Sequence, residues 1–422
     1  MRGAPANSLV SVRLTQAEAD AICARHDRLW SSKPGGARAM FAWKDLTGLD
    51  FAGRNLCDAD FTGAVLVGCR FMGARLDNAS FFGADLQDAN LTEASMRRSD
   101  LRGASLRNAD LTGADLFEAD LREGSLATAD RKFGFRRLEM GSPAQPGELR
   151  GAILAGANLA RSRLSGVIAV RADFTDAVLC DARLVRANLK QASMKGANLS
   201  GADLSGADLA GADLRDAVLV GAKTVAWNVM DANMMGALTD EPAGKPATQD
   251  LPYDTMIREH ARWCETGGGE GAPSVFDYAD LRGLKSVRGF NLTALSAKGA
   301  VFYALDMEGV QLQGAHLEGA DLRGCNLRRA DLRGARLVGA KLSGADLREA
   351  QMGPLLLGGD RVLPCDLTGA QLKNTDLSGA DLRQALLTDA DVSRANFAGA
   401  CLRQINLTGV TRHGARGLDD VI

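Results

Sequence analysis

Protein chemistry draws on a short list of side chains, and the scarcest here is histidine, present only at 26, 260, 316 and 413. Imidazole titrates near neutral pH and is a common metal ligand. No two of the four have ligand spacing and none stands beside a cysteine cluster, so no metal centre is expected. The eight cysteines (23, 57, 69, 180, 264, 325, 365 and 401) include no Cys-x-x-Cys pair and read as reduced thiols. The string Gly-Gly-Gly-Glu-Gly at 267–271 lacks the preceding strand and the following Lys-Ser/Thr of a phosphate loop; it reads as a helix stop and hinge. Aspartates abound, but paired carboxylates do acid–base work only in a cleft that raises one pKa. Kinase, Rossmann and hydrolase signatures are absent. No catalytic residue, cofactor or metal is assigned, and a non-enzymatic role is expected.

The chain that must position these groups is repetitive. It holds 48 glycines and only 5% aromatics, yet its hydrophobic fraction of 46% argues against disorder. Counting in fives from Phe51 meets Leu56, Phe61, Leu66, Phe71, Leu76, Phe81, Leu86, Leu91 and Met96, then Leu at every fifth residue to Leu126. Two positions before each centre the residue is nearly always small, as at Ala59, Ala64, Cys69 and Ala74. One position before it Asp and Asn are common, and two after it Gly, Asp or Glu. A period of five fits neither a helix nor a flat strand. It fits two residues facing one way, spaced as in a strand, followed by a turn. Turns at that interval close the chain into coils, which stack at about the 4.8 Å strand spacing. The centre and the small residue point inward, and the other three point out. Cys69, Cys325 and Cys365 stand where the repeat places Ala and read as small core fillers.

Strings such as ANLSGADLSGADLAGADLRDA (197–217) resemble the pentapeptide-repeat family, whose pattern is small, Asp/Asn, Leu/Phe, polar, Gly. The resemblance covers most of the chain. It implies an all-β solenoid, a right-handed quadrilateral β-helix with four pentapeptides per coil, here with short α-helical caps. On that geometry Phe51 lies under Phe71 and Phe61 under Phe81 on opposite faces, and Asp60, Ser80, Asp100 and Asp120 form one outer column. The aspartates then read as solvated turn residues bonded to nearby backbone.

Residues 1–44 read as a capping helix and turn, and 45–239 as a first solenoid with a projecting loop at 131–148. A linker at 240–252 leads to a second capping helix and Gly-rich turn at 253–278. A second solenoid at 279–410 contains a loop at 353–364, and 411–422 is a tail. The fifteen residues between centres Met352 and Leu367 preserve the register across that second loop. The two caps are a duplication: His26 pairs with His260, Gly35 with Gly269, Phe41 with Phe276, and Asn55–Leu56 with Asn291–Leu292, given two one-residue insertions in the second copy. Thr15 and Glu18 form a capping-box signal. Ile22, Cys23, His26, Leu29 and Trp30 share one helical face, as do Tyr253, Met256, Ile257, His260, Trp263 and Cys264. Each helix is expected to cover the open end of a coil stack, because uncovered strand edges invite aggregation. His26 and His260 then pack against the first coil. His316, one position before Leu317, faces out.

Net charge is −2, which gives no footprint for direct nucleic-acid or anionic-membrane binding. Residues 45–130 carry fifteen acidic and eight basic side chains, whereas 1–44 is net +4 and 131–150 net +3. Some members of the family present an acidic rod that mimics duplex DNA to DNA gyrase. This chain resembles them in fold and in that acidic run, but departs in its neutrality and in Arg97, Arg98, Arg102, Arg107 and Arg122 on the same run. The expected function is a protein–protein interaction scaffold. Alternatives are a DNA-mimicking modulator of a topoisomerase and a bacterial secreted effector or secretion-machine accessory. Arg131, Lys132, Phe133, Phe135, Arg136 and Arg137 form a basic–aromatic candidate contact, and homodimerisation through a solenoid end is open. No apolar run is long enough to span a bilayer or to act as a signal peptide. The expected location is cytoplasmic, with export lacking a cleaved signal as the alternative.

Overall fold

In the repeat centred on Phe61, the Ala64 N–H closes a four-residue turn by donating to the Phe61 carbonyl at 3.0 Å. Gly63, third in that turn, has φ +61°, the region glycine adopts at least cost. The Phe61 and Gly63 amides donate to the carbonyls of Ser80 (2.7 Å) and Phe82 (2.9 Å) in the next coil. Val65 donates back to Lys44 at 2.9 Å. One amide, that of Thr62, is reached by neither ladder nor turn, and Asp60 Oδ1 accepts it at 3.0 Å. All five N–H groups are thereby satisfied, as buried backbone requires. The Asp/Asn preference before each centre follows from that fifth bond, which recurs from Asp85 to Gln87, Asn90 to Thr92 and Asp203 to Ser205.

A computed structural model describes residues 12–124, 129–130, 134–135, 145–243, 251–358 and 361–418. The chain divides into two compact units, Met1–Glu241 and Pro242–Ile422. In each, parallel bridges join residues twenty apart along four ladders. One ladder of the first unit runs Met40, Asp60, Ser80, Asp100, Asp120, Arg163, Arg183, Asp203, Lys223. The second unit's ladders begin at Val275↔Ser296, and its first coil holds one extra residue between Asp280 and Ser286. Each unit has its own buried core.

The expected aromatic columns are present. Phe51 stacks on Phe71 with centroids 5.0 Å apart, and Phe61 on Phe81 at 4.9 Å. Phe41 extends the second column at 5.0 Å from Phe61. The columns meet edge to face, with Phe61 and Phe71 at 90°. So narrow a core mostly takes Ala, Ser or Cys two positions before each centre, and where Val167 and Leu295 stand there the centres themselves, Ala169 and Ala297, are small. Cys69, Cys325 and Cys365 are all fully buried there, and burial pushes the Cys69 thiol up to about 12.

Two excursions leave the stacks. Ser105 bridges Glu148 and Asp110 bridges Ile153, so twenty-three residues are looped out beyond the usual twenty. Reciprocal 2.9 Å bonds between Gly124 and Gln145 pin the corner. Inside the excursion β3 (Ala129–Asp130) pairs antiparallel with β4 (Gly134–Phe135); two strands of the same length precede them in the chain, β1 (Val12–Arg13) and β2 (Lys44–Asp45). The fivefold count overruns this corner. Leu126 lies outside the described residues, and the centre that follows Leu121 is the buried Leu149. The chance continuation of the spacing for one step past the exit hides the break. In the second unit Arg336 bridges Asp366, thirty residues on. Ten residues are expelled there, a multiple of five, and the register survives as expected.

Leu204 is fully buried, whereas Asp203 contributes one turn bond at 3.1 Å to Ser205. Leu204→Asp forfeits about 1.5–3 kcal/mol of burial and adds a buried carboxylate, and is expected to abolish cooperative melting of the first unit. Asp203→Ala is expected to cost about 1 kcal/mol. Circular-dichroism melts separate the two, and equal losses would contradict the inside/outside assignment.

Candidate functional site

The histidines flagged by the sequence sit in the caps. Helix α1 (Gln16–Trp30) has Thr15 at its N-cap with both capping-box bonds formed. It closes the first coil group by group. Strand β1 pairs in parallel with β2. The Gln16 carboxamide stands in for a missing strand, donating to the Asp50 carbonyl and accepting its N–H, both at 2.9 Å. Arg54 reaches Asp20 at 2.7 Å. His26, fully buried, accepts the Ala39 N–H on Nδ1 at 3.1 Å. In α2 (Tyr253–Glu265) His260 accepts the Ser274 N–H at the same distance, and its Nε2 lies 3.4 Å from the Thr293 carbonyl. In His260, whose Nε2 faces a carbonyl, an Nδ1 that accepts places the ring hydrogen on Nε2; in His26 the Nε2 instead accepts the Trp30 indole N–H at 3.1 Å. Both imidazoles are therefore braces at the start of a coil, each flanked by an indole with centroids 6.3 Å (Trp30) and 5.9 Å (Trp263) away. The shared helical face is narrower than its periodicity implies. Leu29 and Trp30 are about half exposed, because the last turn of α1 overhangs the coil. His316 faces out, 3.3 Å from Glu318. Among the described residues no three His, Cys, Asp or Glu side chains form a metal-binding group.

The outer columns carry a further pattern that the sequence displays in its Asp-Leu-Arg strings. In each Asp-Leu-Arg step the arginine folds back over its own aspartate. Arg102 grips Asp100 through Nε (2.8 Å) and Nη2 (2.7 Å), and Arg122 grips Asp120 at 2.9 and 2.7 Å. Arg215, Arg282, Arg333, Arg348 and Arg383 do the same to Asp213, Asp280, Asp331, Asp346 and Asp381. The Arg383 fork holds the Asp381 carboxyl below the usual range, as Arg215 does for Asp213. Bidentate pairing is the geometry guanidinium prefers. Arg97–Asp115 and Arg98–Glu118, both at 3.1 Å, add to it. Within the acidic run these contacts pair Asp100, Asp115, Glu118 and Asp120, and the other carboxylates leave the run net acidic.

Of the basic–aromatic contact, Arg131, Lys132, Phe133, Arg136 and Arg137 lie outside the described residues, and Phe135 is placed only as backbone in β4. The second excursion is better defined. β5 (Leu355–Leu356) pairs antiparallel with β6 (Val362–Leu363). Leu355 and Leu363 lie against Gly334, where a Cβ would come 2.8 Å from Leu355 Cβ. The hairpin is seated on the stack by two leucines while Leu356, Leu357 and Val362 stand 73%, 50% and 50% exposed.

The pentapeptide-repeat family matches in eight copies, over residues 45–83, 84–122, 148–179, 182–221, 311–349 and 365–409, together more than half of the chain. The chain belongs to the pentapeptide-repeat family and folds as its right-handed quadrilateral β-helix. No curated protein matches it in sequence. Solved structures similar to it include HetL, a pentapeptide-repeat protein of the cyanobacterium Nostoc involved in heterocyst differentiation regulation. That match has 21% identity over 91% of this chain and 93% of HetL, with TM-score 0.19. Rfr23 of the cyanobacterium Cyanothece is 31% identical over 31% of this chain and 88% of its own, TM-score 0.21. QnrB1, a plasmid-mediated fluoroquinolone resistance protein, is 18% identical over 48% and 85%, TM-score 0.22. Superpositions this loose carry no argument about partners.

Desolvation holds both cap histidines below their ordinary pKa; Asp27 and Asp58 pull His26 up, Arg38 pushes it down, and the Thr293 carbonyl raises His260. Above the unfolded value of about 6.5 both states are neutral and nothing is lost. As pH falls through it only the unfolded chain takes up the protons, so stability drops. The protection of the Ala39 and Ser274 amides, taken relative to the intrinsic exchange rate at each pH, is expected to fall between pH 7.5 and 5. His26→Gln is expected to flatten the response at Ala39 alone, and an unchanged profile would remove the brace from the account.

Proposed function

We propose that this chain is a non-enzymatic scaffold for a protein partner, contacted at the β5–β6 hairpin. The observation that carries the reading is the seated hairpin. Two of its leucines are fixed on the stack, while three apolar side chains are presented to solvent from a support that cannot rearrange. Apolar groups on a preorganised element give up little conformational freedom on binding, and loops on rigid frames often carry recognition. The segment Arg131–Arg137 is proposed as a second contact for the same partner, supported by its composition. The proposed setting is the bacterial cytoplasm; no helix among the described residues is long and apolar enough to cross a membrane. An exported effector would use the same surfaces.

The test is affinity capture from native lysate with the wild-type chain and with Leu356→Ser/Leu357→Ser. A partner recovered by the wild type is expected to fall at least tenfold with the double variant, whose melting curve stays the same. Recovery of the same proteins by both would overturn the hairpin assignment. The DNA-mimicking alternative is weakened by the arginines interleaved on the acidic run, where Arg97, Arg98, Arg102 and Arg122 pair with Asp115, Glu118, Asp100 and Asp120, because a phosphate mimic needs uncompensated negative charge. Gyrase supercoiling is expected to proceed unchanged at micromolar protein, and inhibition there would restore that alternative.

A further inference from the structure

The first unit carries a second feature, independent of the hairpin. Its charge changes sign along the axis. Residues 45–124 hold fourteen acidic and eight basic side chains, but 145–200 hold eight basic and four acidic. Where the sign changes, Arg98, Glu118, Asp120, Arg161, Arg163, Asp181 and Arg183 line an open depression of about 460 Å³. Its carboxylates are unevenly shared. Glu118 is held by Arg98 at 3.1 Å, leaving Arg161 at 3.7 Å. Asp120 is gripped by Arg122 at 2.7 Å, leaving Arg163 at 3.8 Å. Arg183 shares the depression with Asp181 and is bridged on its other side to Asp203, with no ion pair to either among the described residues.

Two observations raise this above an ordinary charged face. Arg163 and Arg183 are a bridged pair, like charges on adjacent rungs, an arrangement that destabilises a sheet. Among the described residues every other bridge of two charged side chains pairs opposite signs or two aspartates, apart from the titratable His316↔Arg336. Arg161 is also oriented before any ligand arrives. Its guanidinium lies 5.8 Å from the Phe117 ring centroid, with Arg97 at 4.9 Å from that ring, within the range of a cation–π contact. Three guanidinium groups on two rungs about 4.8 Å apart can bracket one tetrahedral oxyanion through paired N–H donors.

We propose that Arg161, Arg163 and Arg183 form an oxyanion site suited to a phosphate monoester, carried on a protein side chain or free in solution. The bound dianion relieves the repulsion between the stacked arginines, and Glu118 and Asp120 limit the site to ligands that bring two charges. A monocarboxylate brings too few.

Isothermal titration of the full chain tests this with three probes: inorganic phosphate, a phosphoserine peptide and the same peptide unphosphorylated. Saturable binding of at least one phosphate probe is expected, weakened tenfold or more by Arg163→Gln/Arg183→Gln and unchanged by Arg75→Gln on another face. The double variant is expected to melt no lower than the wild type without ligand, because it removes a like-charge rung. Tighter binding of the phosphopeptide assigns the site to a modified protein, and tighter binding of inorganic phosphate assigns it to the free ion. Absence of saturable binding by both phosphate probes, equal weakening by Arg75→Gln, or equal affinity for the unphosphorylated peptide overturns the proposal.

Discussion

Five amides per repeat must each find an acceptor, and that demand shapes this protein. Two donate up to the next coil, one down to the last, one closes the turn, and the fifth goes to the carboxylate or amide side chain of the preceding Asp or Asn, as at Asp60 and Thr62. The arrangement leaves an interior one side chain wide, filled by stacked phenylalanines and leucines with alanine between them. Such a core is filled by its own side chains, and recognition falls to the outside.

The ends and the exterior inherit that rule. The first coil of each unit has amides with no coil beneath them, and the caps supply substitutes. A carboxamide plays the part of a strand at Asp50, and an imidazole accepts the amides of Ala39 and Ser274. The duplicated histidines, expected to pack against the first coil, serve there as backbone acceptors. Outside, the turn-capping aspartates would make an acidic column if left alone. The arginine two positions on folds back and neutralises them.

What was legible in the sequence was whatever depends on the direction of a side chain. The period places Phe51 above or below Phe71, Ala59 beside Phe61 and His316 outside, and the capping box at Thr15 is local. What stayed hidden depends on which groups meet across coils. Leu126 keeps the spacing although Leu149 is the next centre, because spacing continues for a step after the ladder has let go. The seat of Leu355 on Gly334 joins residues twenty-one apart, and Asp120 meets Arg163 only because an excursion lies between them. The Asp-Leu-Arg fork was in plain view, since residues two apart flank one inward side chain and both face out.

The two excursions differ in a way that bears on how such a protein changes over time. One expels twenty-three residues and the other ten, and both return to the corner they left. Only the ladder on either side must match, and closing a longer loop adds about 0.6 kcal/mol per doubling. A corner is thus a port at which foreign sequence of almost any length can be spliced in without retuning the column that carries it. New specificity can be acquired there by insertion, while the rest of the molecule is inherited unchanged.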